Sequence, residues 1–469
     1  MEPAVPTSPA DYDVAVLGAG PAGLAASVAA ASAGARVALV DAGARAGGQY
    51  WRHRPGDAGR GQHDWARFQR FRAALETGGT DHFAGHSIWH VERTSDGFAT
   101  HTTDGEANRV VESRTVVVAT GAYDRQLPFP GWTLPGVFTA GGVQALLKGH
   151  GVLAGKRIAV AGTGPFLPAV AAGLLTAGAD VVGVFEAGSP LNFARHPFAV
   201  ARNVAKVREG ARYFRTLLRH RVPYLTRATV VAAHGDGAVA GVTVAKLDSA
   251  WRVVPGTSRD LACDAVAVGY GFTPQVEIPL QLGCATRLDA DGSLVTIVDD
   301  RQRGTVEGVF VAGEACGVGG AALSVTEGEI AGLYAAHATI PRQRLRHLTR
   351  RRDAQRAFAA AMHQAFPLGP QWTSWMDSET TVCRCEEVAA GEIIYAVRDL
   401  GAIDARSVKL YARPGMGLCQ GRVCGFATSG LVARHAGRAV TADDLCGIAK
   451  RPIAQPLTLG ALADTMEEE

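Results

Sequence analysis

The chain has 469 residues, too many for one compact core and enough for two or three domains. Hydrophobic residues make up 47% and charged residues only 19%, which excludes a disordered chain. Lys and Arg total 47 against 44 Asp and Glu, so the net charge of +3 gives no sign of a polyanion-binding surface, and no nucleic-acid partner is expected.

Neither a membrane span nor a signal peptide is predicted. No run approaches the ~18 uninterrupted apolar residues of a transmembrane helix. Residues 1–12 lack the basic start and apolar stretch of a secretory signal. We therefore expect a cytoplasmic protein, associated with a membrane only through partners. In a reducing compartment the eight cysteines are expected to be metal ligands or bystanders rather than disulfides.

The first motif that carries chemistry is a glycine turn between a predicted strand and a predicted helix. It consists of Gly18, Gly20, Pro21, Ala22 and Gly23. Gly18 permits the tight turn, Gly20 lets the backbone approach a pyrophosphate, and Gly23 lets the helix pack closely on the strand. Asp41 ends the next strand and is placed to accept hydrogen bonds from ribose hydroxyls. The sequence therefore predicts a nucleotide site at this turn.

Three later segments favour FAD over NAD at this first turn. They contain Gly47, Gly48 and Gln49, then Thr120 and Gly121, and finally Gly313 and Glu314. The first segment follows Asp41 closely, as a loop beneath an adenosine diphosphate does. The other two follow buried apolar strands, at points where two-domain flavoproteins return to the cofactor.

A second glycine turn repeats the pattern about 140 residues later. Gly162 and Gly164 match the first two glycines, but Leu167 stands where the third would be. A leucine there is expected to push the helix away from the strand or to alter its angle. Glu186 ends the next strand and favours NAD over NADP, because a carboxylate repels a 2′-phosphate. NAD, another adenine nucleotide and an empty retained scaffold all stay open for this site.

The order of these segments predicts an α/β flavoprotein with two dinucleotide-binding domains, the second Rossmann-like domain inserted in the first, and a small C-terminal [2Fe–2S] domain. The predicted boundaries are 1–150 and 290–340 for the FAD-binding domain, 151–289 for the inserted domain, 341–377 for a linker that is partly helical, 378–455 for the [2Fe–2S] domain and 456–469 for an extended tail. A packed helix is expected at 321–336. Residues 342–356 are Arg-rich and are expected to form a solvated helix face.

Four cysteines near the C-terminus are the candidate metal ligands. Cys383 and Cys385 form a Cys-x-Cys pair, and Cys419 and Cys424 follow after 33 intervening residues. Thiolates are soft ligands for Fe–S clusters, zinc or Cu(I), and four of them complete a [2Fe–2S] site. A zinc ribbon usually has Cys-x-x-Cys in both halves, so the spacing favours the cluster over zinc.

The remaining cysteines are expected to be small buried apolar residues: Cys263, Cys284, Cys316 and Cys446. No cysteine precedes Cys263. Disulfide reductases need a redox cysteine pair beside the flavin, so thioredoxin reductase and lipoamide dehydrogenase activities are excluded.

Residues 1–340, with the motifs above, resemble the pyridine nucleotide–disulfide reductase superfamily. In that superfamily the last motif normally ends in Asp, which contacts the ribityl–diphosphate part of FAD, and Glu314 is one methylene longer. Residues 383–387, Lys409 and 413–424 resemble the bacterioferritin-associated-ferredoxin-like [2Fe–2S] domain. Residues 128–136 and 149–155 resemble the flavin subunits to which that domain is fused.

These subunits are the A (α) subunits of opine oxidases, proline and hydroxyproline dehydrogenase complexes, and hydrogen cyanide synthase. The resemblance implies FAD and a [2Fe–2S] cluster in this chain. It also implies a separate β subunit of the D-amino-acid-oxidase type that oxidises a secondary amine, with the option of a small third subunit.

Catalytic residues cannot be assigned in this chain from its sequence. His150 and His196 are candidate proton carriers, although ordinary histidines explain them better. One rival function is a self-contained NAD(P)H-dependent reductase of ferredoxin type. A second rival is a non-enzymatic scaffold that holds zinc in the cysteine site.

Overall fold

The computed structural model describes residues 11–59, 62–195 and 204–464. The strands are, in chain order, β1 (Tyr12–Leu17), β2 (Val37–Asp41), β3 (Thr80–Ala84), β4 (Ser87–Arg93), β5 (Phe98–Thr103), β6 (Asn108–Val118), β7 (Ala122–Asp124), β8 (Val137–Thr139), β9 (Arg157–Gly162), β10 (Asp180–Glu186), β11 (Tyr224–Thr226), β12 (Ala228–His234), β13 (Gly241–Lys246), β14 (Arg259–Ala262), β15 (Ala265–Gly269), β16 (Phe272–Pro274), β17 (Thr286–Leu288), β18 (Leu294–Thr296), β19 (Val309–Val311), β20 (Thr381–Cys383) and β21 (Val388–Ala389).

The α-helices are α1 (Pro21–Ser32), α2 (Trp65–Thr77), α3 (Ala140–His150), α4 (Phe166–Thr176), α5 (Val204–Arg219), α6 (Glu277–Gln281), α7 (Ala321–Ala335), α8 (Arg342–Ala365), α9 (Ala390–Arg398), α10 (Ala405–Ala412), α11 (Gly425–His435), α12 (Ala442–Ala449) and α13 (Leu459–Asp464). Short 3₁₀ helices cover Pro190–Arg195, Gly313–Cys316 and Trp372–Trp375.

The first sheet has the order β3-β2-β1-β6-β5-β4, and β19 pairs with the end of β6. Strands β1, β2, β3, β6 and β19 are parallel to their neighbours in the order given, whereas β4, β5 and β6 form an antiparallel meander. The parallel strands are apolar and buried at residues 14–17, 37–40, 116–118 and 309–311, where both faces of the sheet are covered. The edge strand β3 is instead largely exposed.

Helices α1 and α7 pack against each other unusually closely on this sheet. A Cβ added at Gly328 would lie 2.0 Å from the carbonyl oxygen of Ala22, and one at Gly332 would lie 2.2 Å from that of Ala26. Glycine is therefore required where the two backbones touch. This contact fixes the N-terminal end of α1, where the first glycine turn lies.

The second sheet has the order β11-β10-β9-β15-β8, and the antiparallel sheet β12-β13-β14 follows it along the chain. Strand β8 pairs in parallel with β15, so the chain enters this sheet at Val137, ahead of the predicted boundary at 150. Helix α3 also belongs to this layer, since its Ala140 and Val143 pack in the same core as β9 and β15. Helix α3 follows β8 directly because Thr139, the last residue of β8, is also the N-cap of α3 and accepts from the amide of Gly142 at 2.9 Å.

The C-terminal region comprises the β20–β21 hairpin and helices α9 to α12, and it packs on the inserted domain through aromatic side chains. The rings of Trp251 and Trp375 stack with centroids 5.7 Å apart. The indole N–H of Trp375 donates to the carbonyl of Trp251 at 2.8 Å, and that of Trp132 donates to the carbonyl of Thr381 at 2.6 Å. Buried indole groups with satisfied N–H donors hold the two regions in one arrangement.

One expectation for the C-terminal half was incomplete and another was wrong. Helix α8 has the expected solvated face, with Arg342, Arg344, Arg346 and Arg350 exposed, but Arg352 is buried and pairs with Asp300 at 3.1 Å. The region after residue 455 is not extended throughout, since α13 lies within it. The chain just before α13 is anchored by a hydrogen bond from the amide of Ala454 to the carbonyl of Trp89 at 2.6 Å.

Within the described ranges, no helix has both the length and the apolar character needed to cross a bilayer.

Candidate functional site

The first glycine turn joins β1 to α1, and its first and third glycines have close backbone neighbours. A Cβ at Gly18 would lie 2.5 Å from the carbonyl oxygen of Ala119, and one at Gly23 would lie 1.7 Å from that of Gly18. Gly20 differs, because a Cβ there would meet nothing within 4 Å. The backbone of the turn is therefore closely packed at Gly18 and Gly23, whereas the space around Gly20 is free of protein atoms.

The start of α1 can accept an anion. Gly20 is its N-cap and forms no side-chain cap, Pro21 opens the helix, and the first turn contains no acidic residue. The amide groups at this end are therefore available, and together with the helix dipole they favour a phosphate. This open, unblocked helix start fits the pyrophosphate of a dinucleotide.

Asp41 braces the turn from the end of β2. Its carboxylate accepts from the amides of Ala19 at 2.5 Å and Gly43 at 2.6 Å. Burial raises the pKa of Asp41, while these two backbone donors act to lower it. The side chain is only half-buried, so it can also meet a ribose hydroxyl.

The structure brings the other predicted segments to the same place. The amide of Gly47 donates to Ala19, and a Cβ at Gly48 would lie 2.8 Å from the Cα of Gly20. A Cβ at Gly313 would lie 3.0 Å from that of Ala22. The exposed Gln49 accepts from Arg52.

Thr120 and Gly121 follow the carboxyl end of β6 and lie beside the first glycine turn. A Cβ at Gly18 would lie 3.4 Å from the amide nitrogen of Thr120. The Thr120 hydroxyl donates to the carbonyl of Gln275 at 2.9 Å, and Gly121 has a φ of +81°. These loops converge on the start of α1, as a site for an extended FAD requires.

Glu314 occupies the position at which the superfamily has Asp. It accepts from the amide of Gly320 at 2.9 Å, and burial raises its pKa to about 7. The preceding Gly313 has a φ of +78° and donates its amide to the buried carboxylate of Glu327 at 3.0 Å. Glu327 in turn pairs with Arg356 of α8 at 2.7 Å.

This Glu327–Arg356 pair supports the Gly313 loop from behind and was missed by sequence reasoning. Glu327 follows the loop by fourteen positions, on α7, and its partner lies on the next helix. Only the Arg-rich composition of α8 signalled a role, and that was interpreted as solvation. Cys316 belongs to the same polar cluster, since its thiol contacts Glu327 at 3.4 Å. It is therefore not merely a small apolar residue.

The second glycine turn joins β9 to α4. As at Gly20 of the first turn, a Cβ at its second glycine, Gly164, would meet nothing within 4 Å. Leu167 is fully buried and packs against Gly269. Glu186 is also fully buried: its carboxylate accepts from the Thr163 hydroxyl at 2.7 Å and from the amides of Gly164 at 2.9 Å and Gly188 at 2.7 Å. Burial raises its pKa to about 7. Because its side chain is fully buried, Glu186 supports the turn, and the structure does not present it to a ribose.

The end of α8 lies beside the loop that follows Glu186. Asn192 donates to the carbonyl of Ala365 at 3.0 Å, and the rings of Phe193 and Phe366 meet with centroids 5.5 Å apart. A Cβ at Gly188 would lie 3.4 Å from the Phe366 ring. In a Rossmann-like domain this loop borders the adenosine side of the site, so α8 narrows the second site there.

The four cysteines Cys383, Cys385, Cys419 and Cys424 come together although the sequence separates the two pairs. Thiol contacts link Cys383 to Cys424, Cys424 to Cys419, and Cys419 to Cys385. The β20–β21 hairpin supplies the first pair, and the loop before α11 supplies the second.

Backbone N–H groups point at the sulfurs. Gly415 and Glu386 donate to Cys383, and Val423 and Gly421 donate to Cys419. Contact with the Cys424 thiol, followed by these donors, lowers the pKa of Cys383 to about 6 and that of Cys419 to about 4. The thiolate is the form that binds iron, and such hydrogen bonds also raise a cluster's reduction potential.

Within the described residues, no three or more His, Cys, Asp or Glu side chains meet the geometry of a site for one metal ion. The sulfur contacts run instead from one cysteine to the next. In a [2Fe–2S] cluster each iron is bound by two of the four cysteines. Four neighbouring cysteines, with backbone donors at Cys383 and Cys419, therefore fit that cluster.

The other cysteines and the candidate histidines lie elsewhere. Cys263 and Cys284 are buried as expected, whereas Cys446 is only half-buried. His150 is exposed at the end of α3, which suits an ordinary surface residue. His196 lies outside the described residues.

Comparison with known families matches two parts of the chain. Residues 12–339 match the family described as pyridine nucleotide-disulphide oxidoreductase. Residues 381–434 match the BFD-like [2Fe-2S] binding domain. The first match covers the two nucleotide-binding regions, and the second contains the four cysteines.

Two curated relatives match nearly the whole chain. The HcnB subunit of hydrogen cyanide synthase from Pseudomonas aeruginosa is 33% identical over 437 residues, covering 90% of this chain and 93% of the relative. The A subunit of opine oxidase from Rhizobium meliloti is 33% identical over 481 residues, covering 97% and 99%. Among solved structures, L-proline dehydrogenase from P. horikoshii shares the fold with a TM-score of 0.68 at 19% identity, covering 96% of this chain and 79% of the other.

Proposed function

Because the chain belongs to the pyridine nucleotide-disulphide oxidoreductase family and carries a BFD-like [2Fe-2S] binding domain, we propose that it is the electron-transfer subunit of a heteromeric complex. The chain is a flavin-dependent oxidoreductase whose cofactors are FAD and a [2Fe–2S] cluster. The proposed partner is a flavoprotein β subunit of the D-amino-acid-oxidase type, and the proposed substrates are secondary amines or imino acids such as opines, proline, hydroxyproline or glycine.

This proposal rests on one observation: the chain combines a site suited to FAD at the first glycine turn with a four-cysteine site suited to a [2Fe–2S] cluster, and it has no cysteine pair near the first glycine turn in sequence. The sequence has no cysteine before Cys263, so no cysteine pair can stand beside the first glycine turn from that part of the chain. A two-electron flavin placed in the same chain as a one-electron cluster suits a relay, because flavin chemistry can bridge the two kinds of step.

The residues of this chain have separate tasks in the proposed relay. The open helix start at Gly20 binds the FAD pyrophosphate, Asp41 and the Gly48 loop hold the adenosine side, and Glu314 lies near the ribityl side. The four cysteines hold the cluster, and their backbone donors stabilise negative charge on the sulfurs. None of these groups forms an acid–base pair or a nucleophile suited to an amine, which supports the proposal that the partner oxidises the substrate.

The surface near the cysteines supports docking of a partner there. Ile403, Leu410 and Leu418 each expose more than seven-tenths of their side-chain surface, and Tyr411 lies beside them in sequence. Cys385 is itself exposed. These side chains come from one short stretch of the cluster domain, residues 403–418, and exposed apolar surface is typical of protein interaction sites. The named relatives are subunits of larger enzymes, and we propose a cytoplasmic complex for this chain as well.

Anaerobic absorbance spectra test the proposal against the NAD(P)H-reductase rival. NADH or NADPH is added to the isolated chain, and L-proline, sarcosine, glycine or an opine is added to the chain co-expressed with its β-type flavoprotein. We expect the flavin to bleach only in the second case. Stoichiometric bleaching of the isolated chain by NADH would favour the rival, and a colourless protein with bound zinc would favour the scaffold.

A further inference from the structure

One buried carboxylate forms ion pairs with two arginines of the [2Fe–2S] domain. Glu277 begins α6, and its Oε1 lies 3.0 Å from Nε of Arg422 and 3.1 Å from a terminal nitrogen of Arg451. The three side chains are at most 10% exposed. At such burial, charges interact more strongly than at a surface, and removing one partner leaves an uncompensated charge.

The two arginines lie against the loop that carries half of the cluster ligands. Arg422 stands between Cys419 and Cys424 in sequence and donates to the carbonyl of Cys419 at 3.1 Å. Arg451 donates to the carbonyl of Ile448 at 3.0 Å. The Ile448 side chain in turn packs against the backbone of this loop, where a Cβ at Gly421 would lie 2.9 Å from it.

Glu277 is also close in sequence to a residue that contacts the predicted FAD loop at Thr120 and Gly121. Gln275, two residues before Glu277, donates its amide to the carbonyl of Gly121 at 2.9 Å. Its own carbonyl accepts from the Thr120 hydroxyl at 2.9 Å. A short run of backbone and one ion pair therefore connects the predicted FAD loop with the cysteine loop.

We propose that Glu277, Arg422 and Arg451, here called the junction, position the cysteine loop against the flavin loop and set the cluster's reduction potential. Two cations against one anion leave an excess positive charge beside the cysteines. A [2Fe–2S] cluster becomes more negative when reduced, so the arginines favour its reduced state and Glu277 opposes them. The proposal requires the two family cofactors but not the partner or substrate proposed above, so it can fail separately.

Redox titration of the purified chain, followed by the EPR signal of the reduced cluster, tests the junction. Glu277→Gln removes the anion and is expected to raise the potential. Arg451→Gln removes a cation and is expected to lower it. We expect each change to shift the reduction equilibrium about tenfold, which is about 59 mV for a one-electron couple.

Two further variants separate charge from packing. Arg451→Lys keeps the positive charge and is expected to keep the wild-type potential. Arg438→Gln breaks a more exposed ion pair in the same domain, with Asp444 at 2.6 Å, and is expected to leave the potential unchanged. Shifts of the same sign for Glu277→Gln and Arg451→Gln, or an equal shift for Arg451→Lys, would overturn the proposal. Absence of any EPR signal in the wild type would instead contradict the cluster assignment.

Discussion

The two glycine turns share a construction and differ in what surrounds it. In both, the acid that ends the second strand accepts from amides of the turn and from the amide two residues further on: Asp41 from Ala19 and Gly43, and Glu186 from Gly164 and Gly188. The motif therefore encodes a braced turn. Both turns leave space at the second glycine, Gly20 or Gly164. They differ in that three loops converge on the first turn, whereas the second has a fully buried acid and the end of α8 beside it.

The difference teaches that the glycine pattern alone does not specify a cofactor site. Both turns precede a helix start without a side-chain cap, so the return of distant loops decides whether a dinucleotide can lie there. If this comparison is right, substitutions at the first turn change cofactor content, and those at the second change stability.

The third glycine gives the largest expected effect. Gly23→Ala places a Cβ against the carbonyl oxygen of Gly18, with backbone on both sides, so we expect loss of bound FAD together with loss of stability. Gly173→Ala is the matched control, because Gly173 lies within α4 and a Cβ there meets nothing within 4 Å. Flavin absorbance and thermal unfolding measure both. A Gly23→Ala protein with normal FAD content and stability would break the comparison.

Gly20→Val is expected to remove FAD without unfolding the chain. A Cβ at Gly20 meets no protein atom, and its φ of −74° is accessible to Val, so only an approaching pyrophosphate is obstructed. We expect flavin content below a tenth of wild type, with the melting temperature of the cofactor-free chain preserved. Normal flavin content would remove Gly20 from the binding site.

Leu167→Ala tests the second turn as packing rather than binding. Leu167 is fully buried, and truncating a buried Leu costs about 2–5 kcal/mol. We expect destabilisation of this size in denaturant unfolding, with FAD content unchanged. An unaltered stability, or a simultaneous loss of FAD, would contradict the separation of the two turns.

Glu186 gives the smallest expected effect, a pH dependence. Its pKa in the folded chain is about 7, above the ordinary 4.5, because burial disfavours the charged form. The stability that protonation provides is thus fully present below about pH 4.5 and is lost as pH rises through about 7. Relative to Glu186→Gln, which does not titrate, wild type should lose up to about 3 kcal/mol over this interval. The measurement is the difference in unfolding free energy between wild type and Glu186→Gln as a function of pH. A difference that stays constant with pH would contradict the raised pKa of Glu186.

Much of the fold could be predicted because its signals are local. The turn at Gly18, the apolar strands and the helix at Ala321–Ala335 each follow from neighbouring residues. The family fold and the [2Fe–2S] domain were confirmed by the comparisons. The start of the second sheet was placed too late because β8 is only three residues long and carries little pattern.

The contacts that join distant elements could not be predicted. Glu277 meets Arg422 across 145 positions of the chain, and Glu327 meets Arg356 on a separate helix. An isolated Glu or Arg gives no periodic signal, and its partner is chosen by tertiary packing. The burial of Glu186 was missed for the same reason: the motif indicates where an acid lies, not which donors surround it.

The central claim, that this chain relays electrons between a partner and its own flavin through the cluster, is tested most directly by EPR of the complex. The chain, co-purified with its β-type flavoprotein, is frozen anaerobically after addition of L-proline or sarcosine, beside the Cys419→Ser variant. We predict that the reduced-cluster signal appears on substrate addition in the wild type and is absent from the variant, which retains FAD. Flavin bleaching without a cluster signal in the wild type, or an unchanged signal in Cys419→Ser, would contradict the claim.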